Sequence, residues 1–253
     1  MSISAKFTSV AHAVIVVGGL AACGSNAGIG RDAPGTSNSD GDVGPTDGQN
    51  CGALSAVLRD FKSNHPDFQK TIADDRNLVA ATLGADNKPV YAPAGATPTV
   101  SGQASFDQWY RDVPGINLRF EQALPLTAGP PGTFTFDSSM FFPLDGLGFP
   151  NQEINGHNFH FTTEIHNSFV YRGGERFSFT GDDDVWVFVN HRLALDLGGI
   201  HQAESATIDF DARAAELGIT AGQTYPLDVF HAERHTFDSN FRIETTIDCF
   251  IIL

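Results

Sequence analysis

Alternation of apolar and polar residues constrains the fold of this chain more than any other feature of its sequence. From Thr133 onward the pattern has a period of two residues, as in the segments TFTFDS, HNFHFTTEI and ERFSFT. Side chains of a strand point alternately to its two faces, so this period predicts strands with one buried face. The 21 Phe against 2 Met agree, because aromatic residues favour pleated sheets. We therefore predict an all-β fold, with short helices over 105–111 and 211–218.

The charge balance limits the partners of the chain. Lys and Arg number 15 against 30 Asp and Glu, which gives a net charge of −15 at pH 7. Binding to nucleic acid needs basic residues that face the phosphates, so we predict no nucleic-acid partner. Hydrophobic residues make up 41% of the chain, which is enough for a packed core.

The N-terminus has the features of an export signal. Lys6 precedes an apolar run over 13–20, which is too short to span a bilayer as a mature helix. The following Leu-Ala-Ala-Cys resembles the lipobox of bacterial lipoproteins, which implies that Cys23 is lipidated. An ordinary cleavage site beside an incidental cysteine is the alternative. We predict a lipoprotein signal peptide over 1–22 and a location in a bacterial cell envelope, at the outer membrane or cell surface.

A polar segment separates this signal from the rest of the chain. Residues 24–50 consist mostly of Gly, Ser, Asp, Asn and Pro, and such a segment cannot offset the entropy lost on ordering. We predict a flexible, lipid-anchored linker over 23–50 and one folded domain over 51–253. The membrane contact of the protein would then be the lipid anchor alone.

Two cysteines remain at the two ends of the predicted domain. In an exported chain, Cys51 and Cys249 most simply form one disulfide bond that joins the first strand to the last. Two separate buried thiols are the alternative.

The segment GDDDVWVFVNHRLALDLGGIH, residues 181–201, predicts a β-hairpin. Two strands flank a two-residue turn at Asn190 and His191, and such a turn needs positive φ at both positions. In the simplest register Trp186 lies opposite Leu195 in an apolar core. The register also gathers three neighbouring acids at the open end of the hairpin, beside the loop before His201.

These three acids, Asp182, Asp183 and Asp184, are the strongest candidate site in the sequence. Adjacent carboxylates repel one another, so we expect a positive group to hold them. Calcium takes carboxylate and carbonyl oxygens in irregular geometry, which makes it the predicted cofactor. A solvated acidic loop is the alternative.

The sequence does not favour catalysis. The HAERH segment around His231 lacks the Glu that follows the first His of a zinc protease motif, and a nucleophile elbow is missing. We therefore predict a protein that is not an enzyme. A hydrolase that uses the acids with His201 or His231 is a weaker alternative.

Two long segments carry a family resemblance. The run from HNFHFTTEI through GDDDVWVFVNHRLALDLGGIH, and the later YPLDVFHAERHTFDSNFRIETTI, are similar to the bacterial fibro-slime family. VLRDFKSNHPDF at 57–68 and FDQWYRDVPG at 106–115 match its N-terminal part. The family is a branch of the PA-14 domains, so the resemblance implies an antiparallel β-sandwich or barrel over 51–253.

The resemblance also implies a function. In lectin relatives an adjacent Asp-Asp pair, joined by a cis peptide, binds a calcium ion that holds sugar hydroxyls, and the match places this pair at Asp182 and Asp183. Asp184 departs from the small residue usual at that place. Asp238 and Asn240 are the next ligand candidates. The expectation is a calcium-dependent carbohydrate-binding or adhesion module at the cell surface, with a structural domain that assembles with other envelope proteins as the alternative.

Overall fold

The computed structural model describes residues 49–50, 52–152 and 155–252. The predicted signal peptide, the lipidation of Cys23 and the linker up to residue 48 lie outside the described residues and stay predictions. The strands are β1 Gln49–Asn50, β2 Ala53–Phe61, β3 Ala73–Asp74, β4 Asn117–Pro125, β5 Thr127–Ala128, β6 Phe134–Ser138, β7 Phe161–Tyr171, β8 Arg176–Gly181, β9 Asp184–Val189, β10 Arg192–Leu197, β11 Gly199–Ile200, β12 Glu204–Asp209, β13 Gln223–Glu233, β14 Phe241–Thr245 and β15 Phe250–Ile252. The helices are α1 Gln103–Phe106 and α2 Phe210–Leu217.

Two antiparallel sheets form the body of the fold. The larger has eight strands, in which β7 pairs with β13 along one edge and with β2 and β15 along the other, while β9 and β10 continue beyond β13. The smaller has the order β12-β8-β14-β6-β5. Their facing side chains share one core, with Ile165 and Val187 from the larger sheet and Phe179 and Phe241 from the smaller. The predicted all-β sandwich is confirmed.

A second apolar layer covers the other face of the larger sheet. Strands β9 and β13 turn Trp186 and Phe230 to this side, where they pack against Leu78, Phe106 and Trp109 from the long segment between β2 and β4. Trp186 is therefore a core residue, as predicted, but it belongs to this outer layer. Because both faces of β9 are covered, all six of its residues are buried.

The hairpin of β9 and β10 has the predicted turn and a different register. Asn190 and His191 have φ values of 51° and 61°, as this turn requires. Phe188 lies opposite Leu193, but an irregularity between Leu193 and Leu195 places Leu195 opposite Val187. The predicted pairing of Trp186 with Leu195 is therefore wrong. Trp186 lies opposite Asp196, whose carboxylate accepts a 3.0 Å hydrogen bond from the indole nitrogen.

One of the two helix predictions agrees with the structure, and the other is displaced along the chain. Helix α2 begins after Asp209, which caps the N–H of Ala212, and ends at Gly218 with φ of 67°. This agrees with the prediction over 211–218. Helix α1 covers only Gln103–Phe106, so the prediction over 105–111 is displaced toward the C-terminus.

The chain neighbours of the two cysteines are paired in the larger sheet. Asn50 of β1 lies opposite Phe250 of β15. Cys51 lies outside the described residues, so its disulfide bond with Cys249 stays a prediction. Neither helix of the described residues has the length and apolar character needed to cross a lipid bilayer.

Candidate functional site

The three predicted site acids lie where the chain passes from one sheet to the other. Gly181 ends β8 in the smaller sheet and Asp184 begins β9 in the larger, so Asp182 and Asp183 form the link between them. The peptide bond joining Asp182 to Asp183 is cis.

Asp182 is held by the segment that leads into β14. One oxygen of its carboxylate accepts the backbone N–H of Asn240 and the other accepts the side-chain amide of Asn240, both at 2.7 Å. The main-chain carbonyl of Asp182 contacts Nε2 of the buried His231 at 2.9 Å. Asn240, which the sequence analysis gave as a further ligand candidate, therefore lies at the site and positions Asp182.

Asp183 is held by two backbone N–H groups from different loops. The N–H of His201 reaches one carboxylate oxygen at 3.2 Å, and the N–H of Arg234 reaches the other at 3.0 Å. These bonds fix the carboxylate between the end of β11 and the end of β13.

Asp184 forms a buried ion pair. Its carboxylate accepts the Nε of Arg234 at 2.5 Å and the N–H of Gly199 at 2.7 Å, and neither side chain of the pair is exposed to solvent. The guanidinium also donates to the carbonyl oxygens of Asp67 and Thr99. Arg234 is thus one positive group that holds the acids together, as their mutual repulsion requires.

Backbone contacts bring the loop after β10 against the acids. Gly199 of β11 pairs with Asp74 of β3, and the N–H of Asp75 donates to the carbonyl of Gly198. Gly199 has φ of 125°, and a Cβ atom there would lie 2.5 Å from the carbonyl oxygen of Ala73. Only glycine therefore fits at the position that donates to Asp184.

A cleft of about 330 Å³ opens above these residues. Its polar wall consists of Asp182, Asp183, His201, Gln202, His235 and Asp238, and its apolar wall of Ile72, Ile200 and Phe237. Asp184 lies outside the lining because Arg234 and Gly199 enclose it. The cleft therefore brings together Asp182, Asp183 and Asp238 of the predicted ligand set.

Burial changes the acidity of the two cleft carboxyls. Desolvation raises the pKa of Asp182, which the hydrogen bonds from Asn240 partly offset. Desolvation also raises the pKa of Asp183 to about 7, helped by the charge of Asp184 and opposed by that of Arg234. Near neutral pH the Asp183 carboxyl is therefore close to its titration midpoint.

The raised pKa of Asp183 predicts a pH-dependent stability in the presence of a chelator. The carboxyl titrates near its ordinary value of about 4 when unfolded and about 7 when folded. The folded state therefore holds the proton more tightly than the unfolded state does. As the pH rises from 4 through 7, the free energy of unfolding falls because of this carboxyl group. The difference of about 3 pKa units corresponds to a cost on the order of 4 kcal/mol.

Asp183→Asn removes this titration, so its free energy of unfolding relative to wild type should increase from pH 5 to pH 8. Urea unfolding of both proteins at the two pH values measures the change. Hydrogen bonds lost in the variant lower its stability equally at both pH values, so they do not alter this change. A relative stability that does not change with pH would contradict the expectation.

The acids provide oxygen ligands, which calcium requires. In the described ranges 49–50, 52–152 and 155–252, no three side chains of His, Cys, Asp or Glu are grouped to hold a metal ion by themselves. A cation at Asp182 and Asp183 would therefore need further oxygens from backbone carbonyls, amides or a ligand, which calcium accepts. The residues fit calcium in this sense, and fit zinc poorly.

The two histidines of the hydrolase alternative are tied to backbone carbonyls. His201 contacts the carbonyl oxygens of Gln202 and Leu197 through its two ring nitrogens. His231 is fully buried, and desolvation lowers its pKa to about 4. Both ring nitrogens of His201, and Nε2 of His231, are therefore occupied by backbone carbonyl oxygens.

Several residues of the site were not predicted from the sequence, among them Arg234, Ile72 and Phe237. Arg234 lies 50 positions after Asp184, and Ile72 and Phe237 lie in segments without strand patterning. Phe237 sits in the segment HTFDSN between β13 and β14, where an apolar residue among polar ones was the only available signal.

Comparison with known proteins identifies the class of domain. Residues 150–248, which contain Asp182, Asp183, Arg234 and Asn240, match the model of the PA14 domain family. This part of the chain is therefore a PA14 domain, and the predicted domain type is confirmed there.

Two proteins of Dictyostelium discoideum are similar to most of the chain. Protein psiC is 40% identical over 78% of this chain and 41% of its own length. Protein psiD is 44% identical over 77% of this chain and 41% of its own length. The chain thus spans less than half the length of either relative. Among solved structures, the PA14 sugar-binding domain from an RTX adhesin covers 77% of this chain and 89% of its own, at a TM-score of 0.32 and 8% identity.

These relatives overturn the prediction of a bacterial location. Dictyostelium discoideum is a eukaryote, and these two proteins are 40% and 44% identical to the chain. The assignment to a bacterial cell envelope is therefore wrong. It depended on the few residues before Cys23, and small residues before a cysteine also fit an ordinary cleavage site.

Proposed function

We propose that the chain is a calcium-dependent carbohydrate-binding or adhesion module of the fibro-slime branch of PA14 domains, without enzymatic activity. The observation that carries this proposal is the pair Asp182 and Asp183, whose carboxyl groups line a cleft in the PA14 part of the chain. Calcium is the proposed cofactor, and a glycan is the proposed partner.

Asp182 and Asp183 would hold the cation, with Asp238 as a further acid of the same cleft. Asn240 supports Asp182 through two hydrogen bonds. Asp184 is left out of the ligand set, because its carboxylate is buried against Arg234 and Gly199. When bound, calcium supplies positive charge and open coordination positions for hydroxyl oxygens.

A glycan array tests the proposal. We expect the full chain to bind glycans in millimolar calcium and to lose this binding in excess chelator. The double variant Asp182→Asn with Asp183→Asn should behave in calcium as the wild type does in chelator. Retained glycan binding by this variant would refute the assigned site.

A structural role is the second candidate, and one observation favours it. The carboxylates of all three acids already accept hydrogen bonds from Asn240, His201, Arg234 and Gly199, so they could serve only to join the two sheets. In that case the chain would bind neither calcium nor glycans and would act by assembling with other surface proteins. Absence of both kinds of binding in the array and in a calcium titration selects this candidate.

A further inference from the structure

A cluster of charged side chains lies on the face of the larger sheet that carries the second apolar layer. On this face His166 of β7 lies directly opposite Asp228 of β13, and Glu164 of β7 lies opposite Phe230. Arg59 reaches the same cluster from the neighbouring strand β2, and its side chain is buried together with those of Glu164 and Asp228. None of these residues lines the cleft that contains the acid pair. The cluster is therefore separate from the proposed calcium site.

A tight turn in the long segment between β2 and β4 brings a lysine to this cluster. The N–H of Gly84 donates to the carbonyl oxygen of Lys88 at 2.9 Å, and the N–H of Asn87 donates to that of Gly84 at 3.0 Å. Nζ of Lys88 contacts Oε1 of Glu164. The side chain of Lys88 is 19% exposed and that of Glu164 is 1% exposed. The fold therefore holds an amine against a carboxyl group at a place that is largely closed to water.

Both carboxylate oxygens of Glu164 have further partners. Nη1 of Arg59 donates to Oε2 at 2.5 Å. Nε2 of His166 contacts Oε1, the same oxygen that Lys88 contacts, and Nδ1 of His166 contacts the carboxylate of Asp228 at 2.6 Å. A nucleophilic nitrogen, a cation that stabilises an oxyanion and an imidazole oriented by a carboxylate are the groups that acyl transfer uses. The groups needed to join the amine to the carboxyl group are therefore already in contact.

Burial favours a reaction that removes the charges of this pair. A buried ion pair loses hydration that its Coulomb attraction does not fully restore, whereas an amide carries no charge. Burial, together with the charge of Arg59, lowers the pKa of Lys88 to about 8, so an unprotonated amine is accessible near neutral pH. Transfer of the ammonium proton to the carboxylate of Glu164 leaves both reacting groups neutral. Groups held in such contact reach effective concentrations on the order of 10⁵–10⁸ M, which speeds their condensation.

We propose that Nζ of Lys88 and Cδ of Glu164 form an intramolecular isopeptide bond, which joins the segment between β2 and β4 covalently to β7. The lone pair of the neutral amine attacks Cδ of the protonated carboxyl group, and the electron pair of the carbonyl moves to Oε2, where Arg59 stabilises the charge. His166 takes a proton from the attacking nitrogen and delivers a proton to Oε1. The bond between Cδ and Oε1 then breaks, and water leaves as the carbonyl forms again. One water molecule is lost, no co-reactant is needed, and Asp228 is a positioning residue that orients the His166 ring.

Peptide mapping of the full chain by mass spectrometry tests the inference. In the wild type we expect a branched peptide that contains both Lys88 and Glu164 and weighs one water molecule less than its two parts. Lys88→Arg keeps the charge but removes the nucleophile, so it should give the two peptides separately. Lys62→Arg replaces an exposed lysine directly after β2 and should still give the branched peptide. The bond joins residues 76 positions apart, so the denatured wild-type chain should also migrate faster in gel electrophoresis than Lys88→Arg.

Further variants test the roles given to the neighbouring groups. His166→Gln should slow bond formation by about 10²-fold or more, because it removes the general acid–base group. Asp228→Asn should also slow it, because the ring loses the carboxylate that orients it. The branched fraction after a pulse of isotope-labelled synthesis measures these rates, and circular dichroism in the near ultraviolet checks that each variant is folded. The double variant Asp182→Asn with Asp183→Asn should still form the bond, since the cluster does not line the cleft.

Three results would count against the inference. Separate, unmodified Lys88 and Glu164 peptides from a folded wild-type chain would overturn it and leave an ion pair only. Bond formation at the wild-type rate in His166→Gln would overturn the role given to His166. Loss of the bond in a folded double variant of the acid pair would contradict its independence of the cleft. A chain that forms the bond but binds no calcium would support the inference and refute the proposed cofactor alone.

Discussion

Arg234→Leu should lower the free energy of unfolding by about 3–5 kcal/mol, because it leaves the Asp184 carboxylate buried without its charged partner. The side chains of Arg234 and Asp184 have no solvent exposure, so water cannot replace the lost contact. The substitution also removes the donors to Asp67 and Thr99 and the guanidinium that lies 4.6 Å from the Trp109 ring. Chemical unfolding in a chelator measures the loss.

Two control variants assign this loss to the buried charge. Arg176→Leu removes a pair with Asp209 in which both side chains are exposed, and it should cost less than about 1 kcal/mol. The double variant Arg234→Leu with Asp184→Leu removes both charges, so it should cost less than the sum of its single variants. A loss for Arg234→Leu similar to that for Arg176→Leu would contradict the role given to Arg234.

Gly199→Ala should strongly destabilise the site. The φ of 125° is unfavourable for any residue with a side chain, and the added Cβ would lie 2.5 Å from the Ala73 oxygen and 2.6 Å from the Asp75 nitrogen. These are backbone atoms of β3 and its end, so the whole contact between β3 and β11 would have to shift. We expect a loss of at least about 3 kcal/mol, because the clash adds to the backbone strain of about 1–3 kcal/mol.

Gly102→Ala isolates the strain from the clash. Gly102 has a similar φ of 138°, but no atom lies within 4 Å of the position that an added Cβ would take. This variant should therefore lose only the strain, about 1–3 kcal/mol. Thermal or urea unfolding compares the two, and a loss for Gly199→Ala no larger than that for Gly102→Ala would contradict the packing described at the site.

The sequence predicted those parts of the fold that depend on local pattern. The alternation of apolar and polar residues predicted strands at the positions of β6, β7 and β8. Asn190 and His191 were predicted to form a tight turn, which their φ values confirm. The predicted hairpin also placed Asp182 and Asp183 together at its open end. Each of these features involves residues close together in the chain, whose side-chain directions follow from the strand period.

Features that depend on distant contacts were missed or misplaced. The irregularity after Leu193 shifts the pairing of Trp186 from Leu195 to Asp196, and strand alternation contains no signal for it. Arg234 meets Asp184 only because β13 pairs with β9. Most of the apolar wall of the cleft comes from two irregular segments, around Ile72 and Phe237, which lack any period. Their meeting is decided by the packing of the loops on the sheets.

Calorimetric titration of calcium into the full chain at pH 7.5 tests the proposed calcium site most directly. We expect the wild type to bind one calcium ion per chain, with magnesium giving a weaker response because it demands a stricter geometry. The double variant Asp182→Asn with Asp183→Asn should give no binding heat. Equal calcium binding by wild type and variant, or none by a folded wild-type chain, would contradict a calcium site at Asp182 and Asp183.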